Sequence, residues 1–65
     1  MSDEQASPRV DPAARVHPDA ALGSGVTVAM GAIIEADVVL GEGAEIGPNA
    51  VLYSGTVVGD QVKVG

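Results

Sequence analysis

From Val10 onward the chain returns to a branched aliphatic at every sixth position: Val10, Val16, Leu22, Val28, Ile34, Leu40, Ile46, Leu52, Val58 and Val64. Val, Leu and Ile together occupy only 17 of the 65 positions, so an unbroken register of this length reflects structure and not composition. A second register runs four residues after each aliphatic, through Ala14, Ala20, Val26, Ala32, Val38, Ala44, Ala50, Thr56 and Val62, all small or β-branched. A third runs three residues after, through Ala13, Asp19, Gly25, Gly31, Asp37, Gly43, Asn49, Gly55 and Gln61. Gly, Asp and Asn dominate this third register, and these are the residues that best accept a positive φ.

A helix cannot use such a period, because at 100° per residue successive aliphatics would point to different sides of the cylinder. A long flat strand fails as well, since Asp37, Gly43 and Asn49 would interrupt it at regular intervals. Very short strands joined by turns do fit. In Ala44-Glu45-Ile46 the two-residue alternation of a strand sends Ala and Ile to one side and Glu to the other. Gly47-Pro48-Asn49 then turns the chain, and Ala50-Val51-Leu52 repeats the arrangement. Three such units close a triangle of 18 residues, and stacked triangles pair each strand in parallel with the one above at about 4.8 Å. The expected fold is therefore all-β, a parallel β-helix or β-solenoid of about three coils over residues 10–27, 28–45 and 46–63. Residues 1–9 read as a flexible polar tail.

Residues 18 apart should stack, which turns the sequence into a map of columns. The outward positions are Arg15, Ile33 and Val51 on one face, Ala21, Val39 and Val57 on the next, and Thr27, Glu45 and Lys63 on the third. Glu45 and Lys63 are placed for a cross-strand ion pair on a wetted face. Val and Ile on the other two faces have two readings: they favour strands wherever they occur, or they mark surfaces buried against sister subunits. The second reading makes Ile33, Val39, Val51 and Val57 candidate interface residues. Among the turn columns, Gly23, Gly41 and Gly59 keep one corner slim, whereas His17, Glu35 and Tyr53 stack polar groups at another.

Composition narrows the partners. Nine acidic residues against three basic ones give a net charge of −6, which disfavours nucleic acid and anionic membranes as partners. There is no cysteine, so disulfides and thiolate metal sites are excluded. A single Tyr is the whole aromatic content, and a core of small aliphatics suits a thin regular layer better than a globule. No apolar run approaches the ~20 residues that span a bilayer, and the start MSDEQASPR lacks the basic-then-apolar order of a secretory leader. A soluble cytoplasmic protein is the expectation.

The six-residue unit resembles the hexapeptide repeat [LIV]-[GAED]-x-x-[STAV]-x of left-handed parallel β-helix proteins. LGEGAE, IGPNAV, VAMGAI, IEADVV and VGDQVK match it, while VHPDAA carries His and LYSGTV carries Tyr at the second position. The resemblance extends over residues 10–65 and is the sole source of the left hand, since ordinary parallel crossovers are right-handed. It implies an acyltransferase, typically a homotrimer, moving an acyl group from acetyl-CoA, another acyl-CoA or an acyl carrier protein to a sugar, amino sugar or amino acid. The run VHPDAALGSG…LGEGAEIGPNAVLYSGTVVGDQVKVG is most similar to the opening coils of sugar-nucleotide N-acetyltransferases and of lipid A UDP-sugar acyltransferases. In that family the base and the donor groove lie between subunits, generally on later coils, so residues 1–65 are expected to be the N-terminal part of a longer solenoid.

Candidate chemistry within these residues is sparse. The stack of His17, Glu35 and Tyr53 invites an acid–base reading, but it falls on a turn corner, and VHPDA resembles the I-H-P-x-A opening of many family members, where the His is not the catalytic one. One His rules out a three-His zinc site within a chain. The glycines follow the period of six instead of a phosphate-loop pattern, and Ser24, Ser54 and Thr56 have no neighbouring base to activate them. No catalytic, cofactor-binding or metal-binding residue is assigned. The competing expectation is a non-catalytic solenoid scaffold or oligomerisation module.

Overall fold

The computed structural model describes residues 7–65. The polar tail expected over residues 1–9 falls outside them up to residue 6, and Arg9 is already part of the first strand. Ten two-residue strands follow in sequence: β1 (Arg9–Val10), β2 (Arg15–Val16), β3 (Ala21–Leu22), β4 (Thr27–Val28), β5 (Ile33–Ile34), β6 (Val39–Leu40), β7 (Glu45–Ile46), β8 (Val51–Leu52), β9 (Val57–Val58) and β10 (Lys63–Val64). They form three parallel sheets with orders β1-β4-β7-β10, β2-β5-β8 and β3-β6-β9. The register is that of the columns: Arg15 pairs with Ile33 and Ile33 with Val51, Ala21 with Val39 and Val39 with Val57, Thr27 with Glu45 and Glu45 with Lys63. The described chain is a parallel β-solenoid of about three coils, 34 Å long and 21 Å across.

Alternation explains what is buried. Val26, Val28, Ala32, Ile34, Val38, Leu40, Ala44 and Ile46 are buried almost completely, and Leu52 and Val58 nearly so. These are the aliphatic register and the register four residues later, pointing inward together, with no polar side chain among them. Burial is deepest in the middle coil because its side chains are covered both above and below. A core of Val, Ile, Leu and Ala packs well here because each coil adds the same thin layer, so no large gap calls for an aromatic.

Two kinds of turn join the strands, and local sequence selects between them. Gly25, Gly31, Asp37, Gly43, Asn49, Gly55 and Gln61 all have φ between 60° and 86°. In the turns Ala29–Ala32, Gly47–Ala50 and Tyr53–Thr56 the fourth residue's N–H donates to the first residue's carbonyl at 3.3, 3.3 and 3.1 Å, the type II pattern, which needs positive φ at the third position. The third-position N–H then reaches the coil beneath, as from Asn49 to the Met30 carbonyl at 3.0 Å and from Gln61 to the Glu42 carbonyl at 2.8 Å. Ala13 and Asp19 hold the same position in their turns but stay out of the left-handed region. There the first residue's side chain accepts the third residue's N–H instead: Asp11 Oδ1 from Ala13 at 2.8 Å and His17 Nδ1 from Asp19 at 3.0 Å. With Pro12 and Pro18 at the second position, these are side-chain-capped turns of the type I kind.

Gln61 is the exposed residue that fits its φ of 60° least well. Left-handed backbone costs an ordinary L-residue roughly 1–2 kcal/mol, whereas glycine's extra freedom in the unfolded chain costs about 0.5–1 kcal/mol. Gln61→Gly is therefore expected to raise stability by about 0.5–1 kcal/mol, read as a higher urea midpoint at unchanged slope.

Candidate functional site

The three faces of the prism differ in chemistry. The sheet β1-β4-β7-β10 presents Arg9, Thr27, Glu45 and Lys63 outward. Lys63 Nζ lies 3.9 Å from Glu45 Oε1, with both side chains well exposed. Water screens such a pair, and contributions of about 0–1 kcal/mol are usual. Lys63→Ala is expected to move stability by less than about 0.5 kcal/mol, measured by the same urea titration.

The other two faces carry the apolar candidates. Ile33 and Val51 stand on sheet β2-β5-β8, Val39 and Val57 on sheet β3-β6-β9. All four are exposed, Val57 most of all at 73%. The two faces meet at the corner formed by residues 17–20, 35–38 and 53–56, which carries the stack of His17, Glu35 and Tyr53. Tyr53, the sole aromatic residue, is 68% exposed there, so its neighbours along both faces are Val51 and Val57. Formal charge in this region is confined to Arg15 and Asp19 in the first coil and to Glu35 and Asp37 on the corner of the second.

Three side chains of the corner, His17, Glu35 and Thr56, are engaged with backbone groups. His17 Nδ1 accepts the Asp19 N–H, which fixes the neutral ring's proton on Nε2 and makes that nitrogen a donor facing solvent. Asp19 Oδ2 lies 3.9 Å from the same Nδ1. Glu35 Oε1 accepts the Ser54 N–H from the coil above at 3.3 Å, and Thr56 Oγ1 donates to the Tyr53 carbonyl at 2.6 Å. A base must offer a free lone pair to the proton it removes. His17 offers none at Nε2 in this tautomer and serves its own turn, while the Glu35 side chain links its coil to the next. Among the described residues no three His, Asp or Glu side chains come together to hold a metal ion.

One feature of this region escaped the column map. Arg15, His17, Ile33, Glu35 and Ser54 line an open groove of about 660 Å³ that runs along β2 and β5 onto the corner. The columns place Arg15 and Ile33 next to His17 and Glu35, which was the available signal. They carry no information on depth, which depends on the twist between coils and on where the long side chains lie. Arg15 and Ile33 line the groove on the strand side, His17, Glu35 and Ser54 at the corner, and none of its polar groups is buried.

No helix among the described residues is long and apolar enough to cross a membrane. No curated protein and no solved structure matches the chain. Residues 37–65 match the family described as bacterial transferase hexapeptide (six repeats). That segment holds β6 to β10 and the turns between them, and its register continues without a break into the strands before it. Residues 37–65 are thus similar to bacterial transferase hexapeptide repeats, and they lie in a solenoid whose first described strand is Arg9–Val10.

Proposed function

We propose that this solenoid is the assembly-forming part of an acyltransferase that moves an acetyl or other acyl group from acyl-CoA, or from an acyl carrier protein, to an amino or hydroxyl group of a sugar nucleotide. The observation that carries it is the match of residues 37–65 to transferase hexapeptide repeats. Hexapeptide-repeat acyltransferases typically use acyl-CoA donors and work as trimers with their sites between subunits. A donor of this kind places the reaction in the cytoplasm. In this reading Ile33, Val39, Val51 and Val57 are subunit contacts, and the general base belongs to coils beyond the described ones, in a longer solenoid of which residues 10–65 are the N-terminal part. His17, with Nδ1 committed to its turn, is a structural residue.

The test is release of free CoA thiol when the full natural gene product is incubated with acetyl-CoA and a panel of UDP-amino sugars. Residues 1–65 contain no cysteine to add background thiol. Acceptor-dependent thiol release is expected. An assembled protein that releases no CoA thiol with any sugar-nucleotide acceptor would overturn the enzymatic reading. It would favour a non-catalytic scaffold.

A further inference from the structure

We propose that the first coil is built as an end of the solenoid, its turns at residues 11–14 and 17–20 closing the underside to a further coil. The observation is a reversal of hydrogen bonding between these two turns and those stacked above them. In the later turns the third residue's N–H reaches down to the second residue's carbonyl in the turn beneath. Gly43 donates to Ser24 at 2.9 Å, Asn49 to Met30 at 3.0 Å, Gly55 to Ala36 at 3.3 Å and Gln61 to Glu42 at 2.8 Å. Each such bond clasps a corner to the next coil, in addition to the ladders of the strands.

The first coil breaks this series of clasps. Ala13 and Asp19, the third residues of its two turns, donate to the Asp11 carboxylate at 2.8 Å and to the His17 imidazole at 3.0 Å. Those N–H groups are used within their own turns and offer nothing downward. Type I and type II turns differ mainly in which way the central peptide faces. The Pro12 and Pro18 carbonyls are therefore turned over relative to those of Met30 and Ala36. Bonds from the second coil report the inversion. Gly31 passes over Pro12 and donates to the Ala13 carbonyl at 3.2 Å. Among the described residues, Asp37 makes no backbone hydrogen bond to the turn below it.

The underside is where such a device matters. Val10 is 40% exposed, whereas Val28 directly above it is 1% exposed. A row of strand N–H and C=O groups beside open aliphatics is a template for pairing with another strand. A coil brought beneath would present its second-position carbonyls to the Pro12 and Pro18 carbonyls, acceptor against acceptor. That mismatch falls at two corners, and a carbonyl buried without a donor is unfavourable. Ala13 also resists the positive φ that would let its turn revert to the later kind. Asp11 and His17 thus do more than hold their own turns: they set which way the corner peptides face at this end.

The test places an extra coil on that side of the full natural gene product, by repeating the sequence of residues 28–45 directly before Val10. The period is kept, because Val10, Val28 and Ile46 hold one column. The inserted copy alone carries Met30→Leu at an exposed position, which marks its peptides by mass. A second chain has the same insertion with Asp11→Gly, Ala13→Asn, His17→Gly and Asp19→Asn, giving both turns the Gly-Pro-Asn sequence of residues 47–49. Amide hydrogen exchange is read in the inserted coil, with the resident residues 28–45 as the internal standard of an intact fold. In the first chain the inserted coil is expected to exchange about tenfold or more faster than the resident one, and in the second within about threefold of it. Fast exchange in both inserted coils would show that these turns are not what excludes a further coil. Slow exchange in both would show that nothing excludes it. Either result would overturn the proposal.

Discussion

Replacing Ile34 with Asp is expected to abolish the cooperative unfolding transition. Ile34 is among the largest side chains in the structure that are almost wholly buried, lying in the central coil between Val16 and Leu52 of its own column. Its surroundings are aliphatic on every side, with no polar side chain buried among them to take up a carboxylate. The substitution removes the apolar contacts, worth about 2–5 kcal/mol by analogy with large-to-small core changes, and adds an unpartnered charge or the proton uptake that avoids it. A chain of 65 residues holds only about 3–10 kcal/mol of net stability, so the loss is of the same size as the total. Circular dichroism during a thermal ramp reads the result. A transition within a few degrees of the parent would show that Ile34 faces outward and that the register is wrong.

The second large effect is expected at Gly41, for a different reason. A Cβ on Gly41 would sit 2.7 Å from both the backbone N of Asp60 and the carbonyl carbon of Gly59, in the coil above. Gly23 repeats the problem one coil below, with Glu42 N and Gly41 C both at 2.9 Å. Backbone cannot swing aside as a flexible side chain does. The Gly41 N–H is itself held to the Val58 carbonyl at 2.8 Å, so spreading the coils strains their ladder. Gly41→Ala is expected to cost about 1–3 kcal/mol, the range of overpacked substitutions. Gly43 two residues on is the control, because it needs glycine for φ and not for space. Its φ is +70°, and its nearest contact is the flexible Gln61 side chain at 3.4 Å. Gly43→Asn is thus expected to be nearly neutral, as Asn49 already adopts φ 63° at the equivalent position of the next turn. Equal losses at the two sites would mean that the corner is not as tightly stacked as the structure shows.

The fold was legible in the sequence because a solenoid repeats one local decision. Each aliphatic in the register of six is inward from Val16 to Val64, buried or half-buried, and the outward columns are the strand pairs of the structure. The turn column was legible by type but not residue by residue. Gln61 takes positive φ although it is a poor choice for it, because its turn is stacked on that of Glu42 and Gly43, and its N–H completes a bond to the coil below. Asp19 is a better choice yet avoids it, because His17 can cap the third N–H.

The candidate site was less legible, for physical reasons. A periodic pattern reports what each residue shares with its neighbours, whereas a site is made by departures from the pattern. His17, Tyr53 and Arg15 are such departures, and sequence alone placed them in adjacent columns. It could not show that the lone pair of His17 Nδ1 is taken by the Asp19 N–H, or that Glu35 reaches the Ser54 N–H on the coil above. Nor could it show the groove between Arg15 and Glu35, whose depth is a property of side-chain placement.

The central claim is that positions 18 apart are stacked in parallel, since the core, the faces and the candidate contacts all follow from it. Cross-strand nuclear Overhauser effects in isotopically labelled protein test it most directly. The expected result is a set of contacts joining the backbone protons of Ile33 with Val51, Val39 with Val57 and Thr27 with Glu45. Contacts displaced by one or more residues from that spacing, or an antiparallel pattern between neighbouring strands, would contradict the solenoid and the function proposed on it.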